Sequence, residues 1–353
     1  MSLINLLKKK NEYTLFTTPS HSQRLCIFKK LRHLYKYDIS EVDAYNPQEE
    51  LLKCEKKASE IYKTKFTKFL TNGSTSGILS AVLSCVKKND KVLIWRESHK
   101  CHRNAVKLAG AEPIFYDVDK IPDWGINGGV FVDVLEGLLK TNGEISAIIV
   151  TSPTYEGNIS DIKAISDLCK KYGVYLIVDE AHGALYPFCD KLPTSALYLG
   201  ADFVVQSLHK TAGGLNPTAL LHSQCDINPT EALNLVTTTS PSYPLLASIE
   251  KNIDYLNSKR GRAKILELVN NIEDLKSKID TVEFFDGLFD LTHDPTKIVI
   301  KSKKMSGTKL SEILFENYKI EDEKTNEIST MLLCGLGTDL KKLSRLEKVL
   351  KKL

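Results

Sequence analysis

YLIVDEAHGALYPF, residues 175–188, joins a short apolar run to an acidic pair. The run from Leu176 to Val178 is apolar and rich in β-branched residues, which is typical of a parallel strand buried on both faces. It ends at Asp179 and Glu180, so a carboxylate follows directly at the carboxyl end of the predicted strand. Open α/β sheets bind their ligands at that edge. The stretch therefore predicts an α/β fold with an acidic group in its ligand cleft.

A second stretch, GADFVVQSLHKTAGG at residues 200–214, repeats this arrangement with a basic group. The predicted strand 203–205 leads into Ser207, His209 and Lys210, which we expect at the same edge of the sheet. Pyridoxal phosphate requires such a pair, because a lysine holds it as an imine and a carboxylate keeps its ring nitrogen protonated. Asp179 suits the second role and Lys210 the first, with Ser207 and His209 as donors to the phosphate.

Each of these residues alone has a simpler interpretation. An aspartate after a strand commonly caps the next helix, and most lysines of a soluble protein are solvated. The presence of both groups at the ends of two neighbouring predicted strands favours a cofactor site over these interpretations.

The composition is that of a globular protein and disfavours several other classes. The 353 residues include 42% hydrophobic and 26% charged residues, with a formal net charge of +4. The lysines are scattered along predicted helical faces, so we expect no nucleic-acid or membrane partner. Eight cysteines without a C-x-x-C pair, and no recognisable signal sequence, favour a cytoplasmic protein. The segment 99–102, HKCH, lacks a second cluster at metal-binding spacing, and we expect no metal.

Strands and helices alternate along the first two thirds of the chain. Apolar runs of strand length are separated by helical segments of about ten residues, which predicts a mostly parallel sheet covered by helices on both faces. The predicted helices cover 2–13, 49–69, 131–140 and 161–172, and further strands cover 92–95, 113–116 and 147–150.

The pattern changes to an α+β module in the last third of the chain. Helices are predicted over 245–259, 263–279, 307–317 and 339–352, and strands over 297–300 and 327–334. We therefore divide the chain into an amino-terminal arm at 1–48, a large cofactor-binding domain at 49–249 and a small carboxyl-terminal domain at 250–353.

Two further segments are candidates for cofactor contacts. In TNGSTSG, residues 71–77, small hydroxylated residues open a helix, whose free N–H groups and dipole suit a phosphate. Its candidates are Ser74, Thr75 and Ser76, although the same residue types also cap helices that bind nothing. His99 follows the predicted strand 92–95, where its ring could stack on a flat cofactor, but helix capping is the simpler role for this residue alone.

Seven segments, in their order along the chain, resemble the prokaryotic ornithine/lysine/arginine decarboxylase family of pyridoxal-phosphate enzymes. They are TPSHSQ (18–23), TNGSTSG (71–77), ESHKCHRN (97–104), TSPTYEGN (151–158), VDEAHGA (178–184), QSLHKT (206–211) and TTTSPSYPLLAS (237–248). One such segment would be a weak signal, whereas seven in family order span nearly the whole predicted large domain. The resemblance implies the aspartate-aminotransferase fold, fold type I of the pyridoxal-phosphate enzymes.

The resemblance also implies roles for individual residues. Lys210 would hold the cofactor, Asp179 would pair with its ring nitrogen, and His99 and Ala181 would contact opposite faces of the ring. The catalytic residues would be Lys210, Asp179 and His99. The implied cofactor-binding set is Ser74, Thr75, Ser76, His99, Asp179, Ala181, His182, Ser207, His209, Lys210, Thr238 and Ser240. In this family the segment matching 238–240 reaches the neighbouring subunit's site, which implies a homodimer with both sites at the interface.

The chain departs from the family at several positions. Ser20 and Ser22 replace the glycine and lysine of the usual TPGHK, and GGLNP at 213–217 replaces a pattern that ends in Thr-Gln. We also expect a compact form without the family's common carboxyl-terminal domain. These departures concern the groups that would recognise the far end of a substrate, and the sequence does not identify them.

The implied activity is decarboxylation of a basic amino acid, lysine, ornithine or arginine, to its amine. Lys210 or His99 would return a proton to the carbon after CO2 leaves. An aminotransferase or a β-eliminating lyase on the same fold is the alternative, although Arg345 is the only arginine after Asp280. A non-catalytic partner of a full-length decarboxylase is a second alternative, which the presence of Lys210, Asp179 and His99 disfavours.

Overall fold

A seven-stranded sheet lies at the centre of the protein. The computed structural model describes residues 2–10, 36–39, 50–287 and 292–353. In chain order the first nine strands are β1 Phe66–Leu70, β2 Lys91–Trp95, β3 Glu112–Tyr116, β4 Lys120–Ile121, β5 Ile126–Asn127, β6 Ala147–Thr151, β7 Tyr175–Asp179, β8 Phe203–Ser207 and β9 Ala219–Ser223. The sheet order is β1-β9-β8-β7-β6-β2-β3, and β4 and β5 form a separate hairpin. Five adjacent strands, from β8 to β3, are parallel, and β9 is antiparallel to both its neighbours.

Helices cover both faces of this sheet, as the sequence predicts. They are α1 Leu3–Lys10, α2 Glu50–Tyr62, α3 Gly73–Cys85, α4 Lys100–Leu108, α5 Val132–Thr141, α6 Ile162–Tyr172, α7 Leu208–Thr211 and α8 Thr230–Val236. Along β7, Leu176 and Val178 join the buried cluster that includes residues of α2, α5 and α6. Ile177 between them joins the cluster on the other side, with residues of α3 and α4. The apolar run is therefore buried on both faces.

The carboxyl-terminal part contains a second, antiparallel sheet. Its elements are the helices α9 Tyr243–Asn257 and α10 Lys259–Ser277, the strands β10 Val282–Phe284 and β11 Lys297–Ser302, helix α11 Gly307–Tyr318, the strands β12 Lys324–Thr325 and β13 Thr330–Leu333, and helix α12 Leu340–Leu350. The strand order is β10-β11-β13-β12. Because Ile298 and Ile300 of β11 belong to the same buried cluster as Val178, the core is continuous, and the domain division near residue 250 stays a prediction.

The predicted helix over 49–69 is wrong in its second half. The helix ends at Tyr62, and Lys63 has a left-handed backbone conformation with φ of 57°. Residues 66–70 form β1, which pairs antiparallel with β9. Local spacing cannot anticipate this pairing with a strand about 150 residues away, which overrides the helical pattern. Lys68, buried in β1, lies 2.9 Å from a carboxylate oxygen of Glu55 on α2.

A predicted strand near the carboxyl end differs from the structure, and the predicted amino-terminal arm is described only in part. The strand predicted over 327–334 is wrong in its extent, since only residues 330–333 are paired, while β12 begins earlier at 324. The first helix is described up to residue 10. Three parts of the predictions lie outside the described residues: 11–13, the segment 18–23 with Ser20 and Ser22, and most of the predicted arm.

None of the described helices combines the length and the apolar character that a bilayer crossing requires.

Glu180 fixes the long loop that follows β7 to the neighbouring strand. Its buried carboxylate accepts hydrogen bonds from the Ser195 hydroxyl at 2.6 Å, the Ala196 N–H at 2.7 Å and the Gln206 amide of β8 at 2.6 Å. Burial outweighs these three donors and raises the pKa of Glu180 from 4.5 to about 7. The group therefore holds a proton in the folded state at pH values where the unfolded chain has lost it.

We expect the free energy of unfolding to fall as pH rises from about 4.5 to about 7, by up to about 3 kcal/mol. Glu180→Gln should flatten this slope, because the amide does not titrate and can donate to the Gln206 oxygen, which has no partner among the described residues. Denaturant unfolding at a series of pH values measures the slope. Glu316→Gln, at an exposed position, is the control. An unchanged slope in the Glu180 variant would contradict the assignment.

Candidate active site

Asp179, the last residue of β7, is held by two hydrogen bonds at the carboxyl edge of the sheet. One carboxylate oxygen, Oδ1, accepts from the Ala181 N–H at 3.2 Å. The other, Oδ2, accepts from Nε2 of His102 at 2.9 Å. Burial of the carboxyl opposes ionisation, but the His102 hydrogen bond and the positive charge of Lys210 together lower the pKa of Asp179 below its ordinary value. The group is therefore a buried anion at neutral pH.

His102 is a residue of this site that the sequence reasoning missed. Its side chain is completely buried in the first turn of α4, and its Nδ1 has no hydrogen-bond partner among the described residues. The residue lies within the segment 97–104, but its partner is 77 positions away in the chain. Local spacing contains no signal for this contact. Helix α4 follows β2, which is separated from β7 by β6 in the sheet, so only the sheet order brings the two groups together.

Lys210 reaches the same edge from α7, the single helical turn after β8. Its Nζ lies 3.2 Å from Nε2 of His182. Burial lowers the pKa of the Lys210 amine below its ordinary value; the charge of Lys297 acts in the same direction, and that of Asp179 acts against it. The amine is thus easier to deprotonate than that of a solvated lysine, which is the property that a nucleophilic lysine requires.

His182 is kept neutral beside this amine. Burial, and after it the positive charges of Lys297 and Lys210, lower the pKa of His182 well below its ordinary value. The other ring nitrogen, Nδ1, is buried and has no partner among the described residues. The Tyr155 ring packs edge-on against this imidazole, with the ring centroids 4.9 Å apart. His182 can therefore accept a hydrogen bond from Lys210.

Lys297 is a second buried cation near Lys210 and His182. It is 0% exposed, and its Nζ lies 3.4 Å from the Asp294 carboxylate. That carboxylate also accepts from the Thr296 N–H at 2.8 Å, the Thr296 hydroxyl at 2.7 Å and the Tyr186 hydroxyl at 2.9 Å. Because three closer donors share the anion, the charge of Lys297 is only partly compensated and acts on Lys210 and His182.

The residues predicted to hold a phosphate differ in their relation to the cleft. Ser207 is fully buried and does not line it, and its Oγ has no hydrogen-bond partner among the described residues. His209 donates through Nδ1 to the Thr218 carbonyl at 2.9 Å, which leaves Nε2 for another partner. Ser74 and Thr75 lie in the first turn of α3, where free N–H groups suit an anion. Ser76, in contrast, donates to the Gly73 carbonyl at 2.8 Å and does not line the cleft.

A single cleft of about 490 Å³ brings most of the predicted residues together. The members of the predicted set that line it are Ser74, Thr75, His99, Asp179, Ala181, His182, His209 and Lys210. His99 caps α4, since its Nδ1 accepts from the Cys101 N–H at 3.3 Å, and burial lowers its pKa. His99 is therefore a helix cap that also lines the cleft, and its stacking on a flat cofactor stays a prediction.

Thr238 and Ser240 do not line this cleft. Thr238 borders a separate cavity beside α2, β1 and α8, and its hydroxyl accepts from the Ser240 N–H at 3.1 Å. Within one chain these two residues do not contribute to the site, so their predicted role requires a second subunit.

One group of potential metal ligands overlaps the site. Ligand atoms of Cys101, His102 and Asp179 lie within 4.8 Å of one another. Burial raises the pKa of the Cys101 thiol above its ordinary value, so the sulfur stays protonated and is a poor ligand. His102 and Asp179 are already bonded to each other, and the arrangement suits a hydrogen-bonded pair better than a metal centre.

Residues 37–292 match the family model described as Orn/Lys/Arg decarboxylase, major domain. The chain belongs to the Orn/Lys/Arg decarboxylase family. Among curated relatives of this family, an arginine decarboxylase of Bacillus cereus is 29% identical over 311 residues, covering 84% of this chain and 67% of the relative. An uncharacterized protein, YaaO, of Bacillus subtilis is 31% identical over 347 residues, which cover 93% of this chain and 72% of that protein.

The fold is that of the pyridoxal-phosphate enzymes of fold type I. A lysine decarboxylase of Francisella novicida superposes with a TM-score of 0.87 at 20% identity, covering 99% of this chain and 59% of that one. A serine palmitoyltransferase of Sphingomonas wittichii superposes with a TM-score of 0.72 at 17% identity, and the superposition covers 99% of this chain and 82% of that one. This member of the Orn/Lys/Arg decarboxylase family thus spans about two thirds of the length of that arginine decarboxylase and about three fifths of the length of that lysine decarboxylase.

We expect Lys297→Met to raise the pKa of Lys210, because it removes a buried like charge while keeping an apolar stem of similar length. Modification of Lys210 by an arylating reagent, followed by mass spectrometry of the cofactor-free protein, should slow by about twofold or more at mildly alkaline pH. Lys301→Met, on the same strand and paired with Glu283 at 3.2 Å, is the matched control. Equal labelling of Lys210 in both variants would contradict the effect.

Proposed function

We propose that the chain is a pyridoxal-phosphate-dependent decarboxylase that converts a basic amino acid, lysine, ornithine or arginine, to its amine. One observation carries the proposal: the buried anion Asp179 and the easily deprotonated amine of Lys210 face one cleft at the ends of adjacent strands. An acid that stays ionised and an amine that loses its proton readily are the two groups that this cofactor requires.

The groups of the cleft fit this cofactor in charge and in hydrogen bonding. The first turn of α3 supplies N–H donors for a phosphate, and the buried Ser207 hydroxyl at the end of β8 has no partner among the described residues. Asp179 supplies an acceptor for a protonated ring nitrogen. Ala181 and His99 line the same cleft, and we propose that they contact the flat ring.

When bound, pyridoxal phosphate supplies the electron-accepting ring that makes loss of CO2 possible. Asp179 would pair with a protonated ring nitrogen, because its own carboxyl remains ionised when buried. Lys210 would attach the cofactor through its neutral amine, and in its protonated form the same group could return a proton to the substrate carbon. His182 orients that amine through the 3.2 Å contact and accepts its hydrogen bond. Tyr155 and His182 pack together and restrict water at this side of the cleft.

A basic substrate is supported by the relatives and by the charges of the cleft. Curated relatives are named arginine decarboxylase and ornithine decarboxylase. Two carboxylates, Glu97 and Glu156, line the cleft and suit a cationic side chain. Arg345 donates to the Tyr318 carbonyl and lies outside the cleft, so no arginine of the described carboxyl-terminal part is available there as the carboxylate clamp of an aminotransferase.

We also propose a cytoplasmic homodimer. The seven cysteines of the described part are unpaired, which suits a reducing compartment. Thr238 and Ser240 are both exposed and do not line their own cleft, as expected of residues that serve a partner's site.

Lys210→Ala should abolish both the visible absorbance of the imine between lysine and cofactor and CO2 release, because the variant lacks the amine that we propose attaches the cofactor. Absorbance spectroscopy and CO2 release from lysine, ornithine, arginine and a few acidic and aromatic amino acids measure the two properties. Lys309→Ala, on the exposed face of α11, should behave as wild type. A variant at 210 that stays yellow and active would refute the assignment, and transfer of the amine to a keto acid without CO2 would indicate an aminotransferase.

Asp179→Asn should retain the cofactor but lose at least about a hundredfold in turnover number, because a neutral amide cannot keep the ring nitrogen protonated. Spectroscopic titration with cofactor and steady-state kinetics separate the two effects. Asp190→Asn, at an exposed position in the following loop, is the control. An unchanged turnover number for the Asp179 variant would show that the carboxylate is not the partner of the ring.

A further inference from the structure

A second cluster of polar and charged side chains lines the same cleft, on the side formed by the carboxyl-terminal sheet. Its members are Tyr155 and Glu156, in the loop after β6, and Lys324, the first residue of β12. All three side chains line the cleft. The steps assigned above to Lys210 and Asp179 do not use Glu156 or Lys324, so their role is open.

Glu156 has the properties of an incompletely occupied cation site. The residue is 3% exposed, and its Oε1 lies 2.5 Å from Nζ of Lys324. Its second oxygen, Oε2, is buried and has no hydrogen-bond partner among the described residues. An unsatisfied carboxylate oxygen in a protein interior is costly unless a ligand supplies a donor. The carboxylate can therefore accept more than the single pair that Lys324 provides.

The Tyr155 ring forms the other wall of this site. Nζ of Lys324 lies 5.1 Å from the ring centroid, within the range of a cation–π contact. The Tyr155 ring also packs against the imidazole of His182, and Nε2 of that imidazole lies 3.2 Å from Nζ of Lys210. The rings of Tyr155 and His182 thus link the reactive amine to the cation site, so a ligand held at Lys210 can extend toward Glu156.

The backbone of the loop is fixed, so Glu156 is held in place before any ligand binds. Gly157 has φ of +106°, and a Cβ there would lie 2.8 Å from Cγ of Lys297 and 2.9 Å from Nε2 of His293. The same His293 nitrogen donates to the Glu156 carbonyl at 2.8 Å. Only glycine fits at this position, and the close packing holds the carboxylate at the cleft wall.

We propose that Glu156 and the ring of Tyr155 form a subsite for the cationic end of the substrate side chain, and that Lys324 occupies this subsite when substrate is absent. The inference rests on the proposed function and narrows it, because it assigns the recognition of an ammonium or guanidinium group. The contacts of Lys324 are those that a substrate cation would make: an ion pair with a buried carboxylate and an aromatic face beside it.

Lys324 can leave the site when another cation takes its place. Its side chain is 45% exposed and can reach solvent, whereas the buried Glu156 carboxylate requires a replacement cation. A substrate cation would replace this pair and would also bring a donor to the second oxygen of Glu156. A guanidinium can engage both oxygens at once in a bidentate contact. The subsite therefore favours cationic side chains over neutral ones of the same length.

Equilibrium binding to the holoenzyme tests this subsite with two probes, 1,5-diaminopentane and 1-aminopentane, by isothermal titration calorimetry. Lys324→Met should tighten binding of the diamine by about threefold to tenfold, since a competing internal cation is removed. Glu156→Gln should weaken it by about tenfold or more. Binding of the monoamine should change by less than about twofold in both, because it carries no second cation.

The double variant provides the decisive comparison. If Lys324 and the ligand compete for Glu156, Lys324→Met should no longer tighten diamine binding in the Glu156→Gln background. Lys309→Met and Glu312→Gln, an exposed ion pair of 3.0 Å on α11, are the matched controls and should leave both probes unaffected.

Two results would overturn the subsite: equal effects of the variants on both amines, or retention of the diamine preference by Glu156→Gln. Either result, together with release of CO2 from a basic amino acid by the wild-type protein, would leave the proposed function intact. If the wild type releases CO2 from none of the amino acids tested, the proposed function fails, and the diamine preference still decides the subsite on its own.

Discussion

The parallel pairing of β7 with β8 is the constraint on which the cleft depends. The register sets Asp179 opposite Val205, two residues before β8 ends at Ser207. The chain then turns at once into the short helix that carries Lys210, so the acid and the amine emerge side by side from one sheet edge. Both strands are buried on both faces, and a shift of either would move apolar side chains out of two packed clusters. The packing of the core therefore fixes the separation of the two groups.

Opposite electrostatic requirements are met within this one edge. The Asp179 carboxyl must remain charged when buried, and the hydrogen bond from His102 together with the charge of Lys210 overcomes the cost of desolvation. The Lys210 amine must lose its charge, and there burial acts in the required direction, with support from Lys297. Neither outcome follows from burial alone. It is the identity of the nearest neighbours that separates an ionised acid from an easily neutralised base.

The carboxyl-terminal sheet supplies the groups that complete the cleft. Lys297 of β11 acts on the reactive amine, and Lys324 of β12 occupies the cation site beside Tyr155. The loop after β6 lies between the two sheets and is held by close contacts at Gly157. Under the proposed function, the large sheet positions the groups that hold the cofactor, whereas the groups proposed to meet the substrate side chain lie at the junction of the two sheets. Such a division would allow a substrate preference to change without disturbing the cofactor end.

Sequence alone determined the parallel part of the sheet and the residues at its carboxyl edge, because apolar strand runs and the residues that end them are local features. It also placed Asp179, Lys210, His99 and the first turn of α3 on one rim. It failed for β1, whose helical spacing is overridden by pairing with β9. The role of Ser76 stays a prediction, although its hydroxyl bonds within its own helix. Only the tertiary structure joined His102 to Asp179, brought Lys324 to the cleft and placed the charge of Lys297 near Lys210. These contacts link positions about 75 to 170 residues apart, and no local pattern records which distant side chain will lie beside another once the sheets have packed.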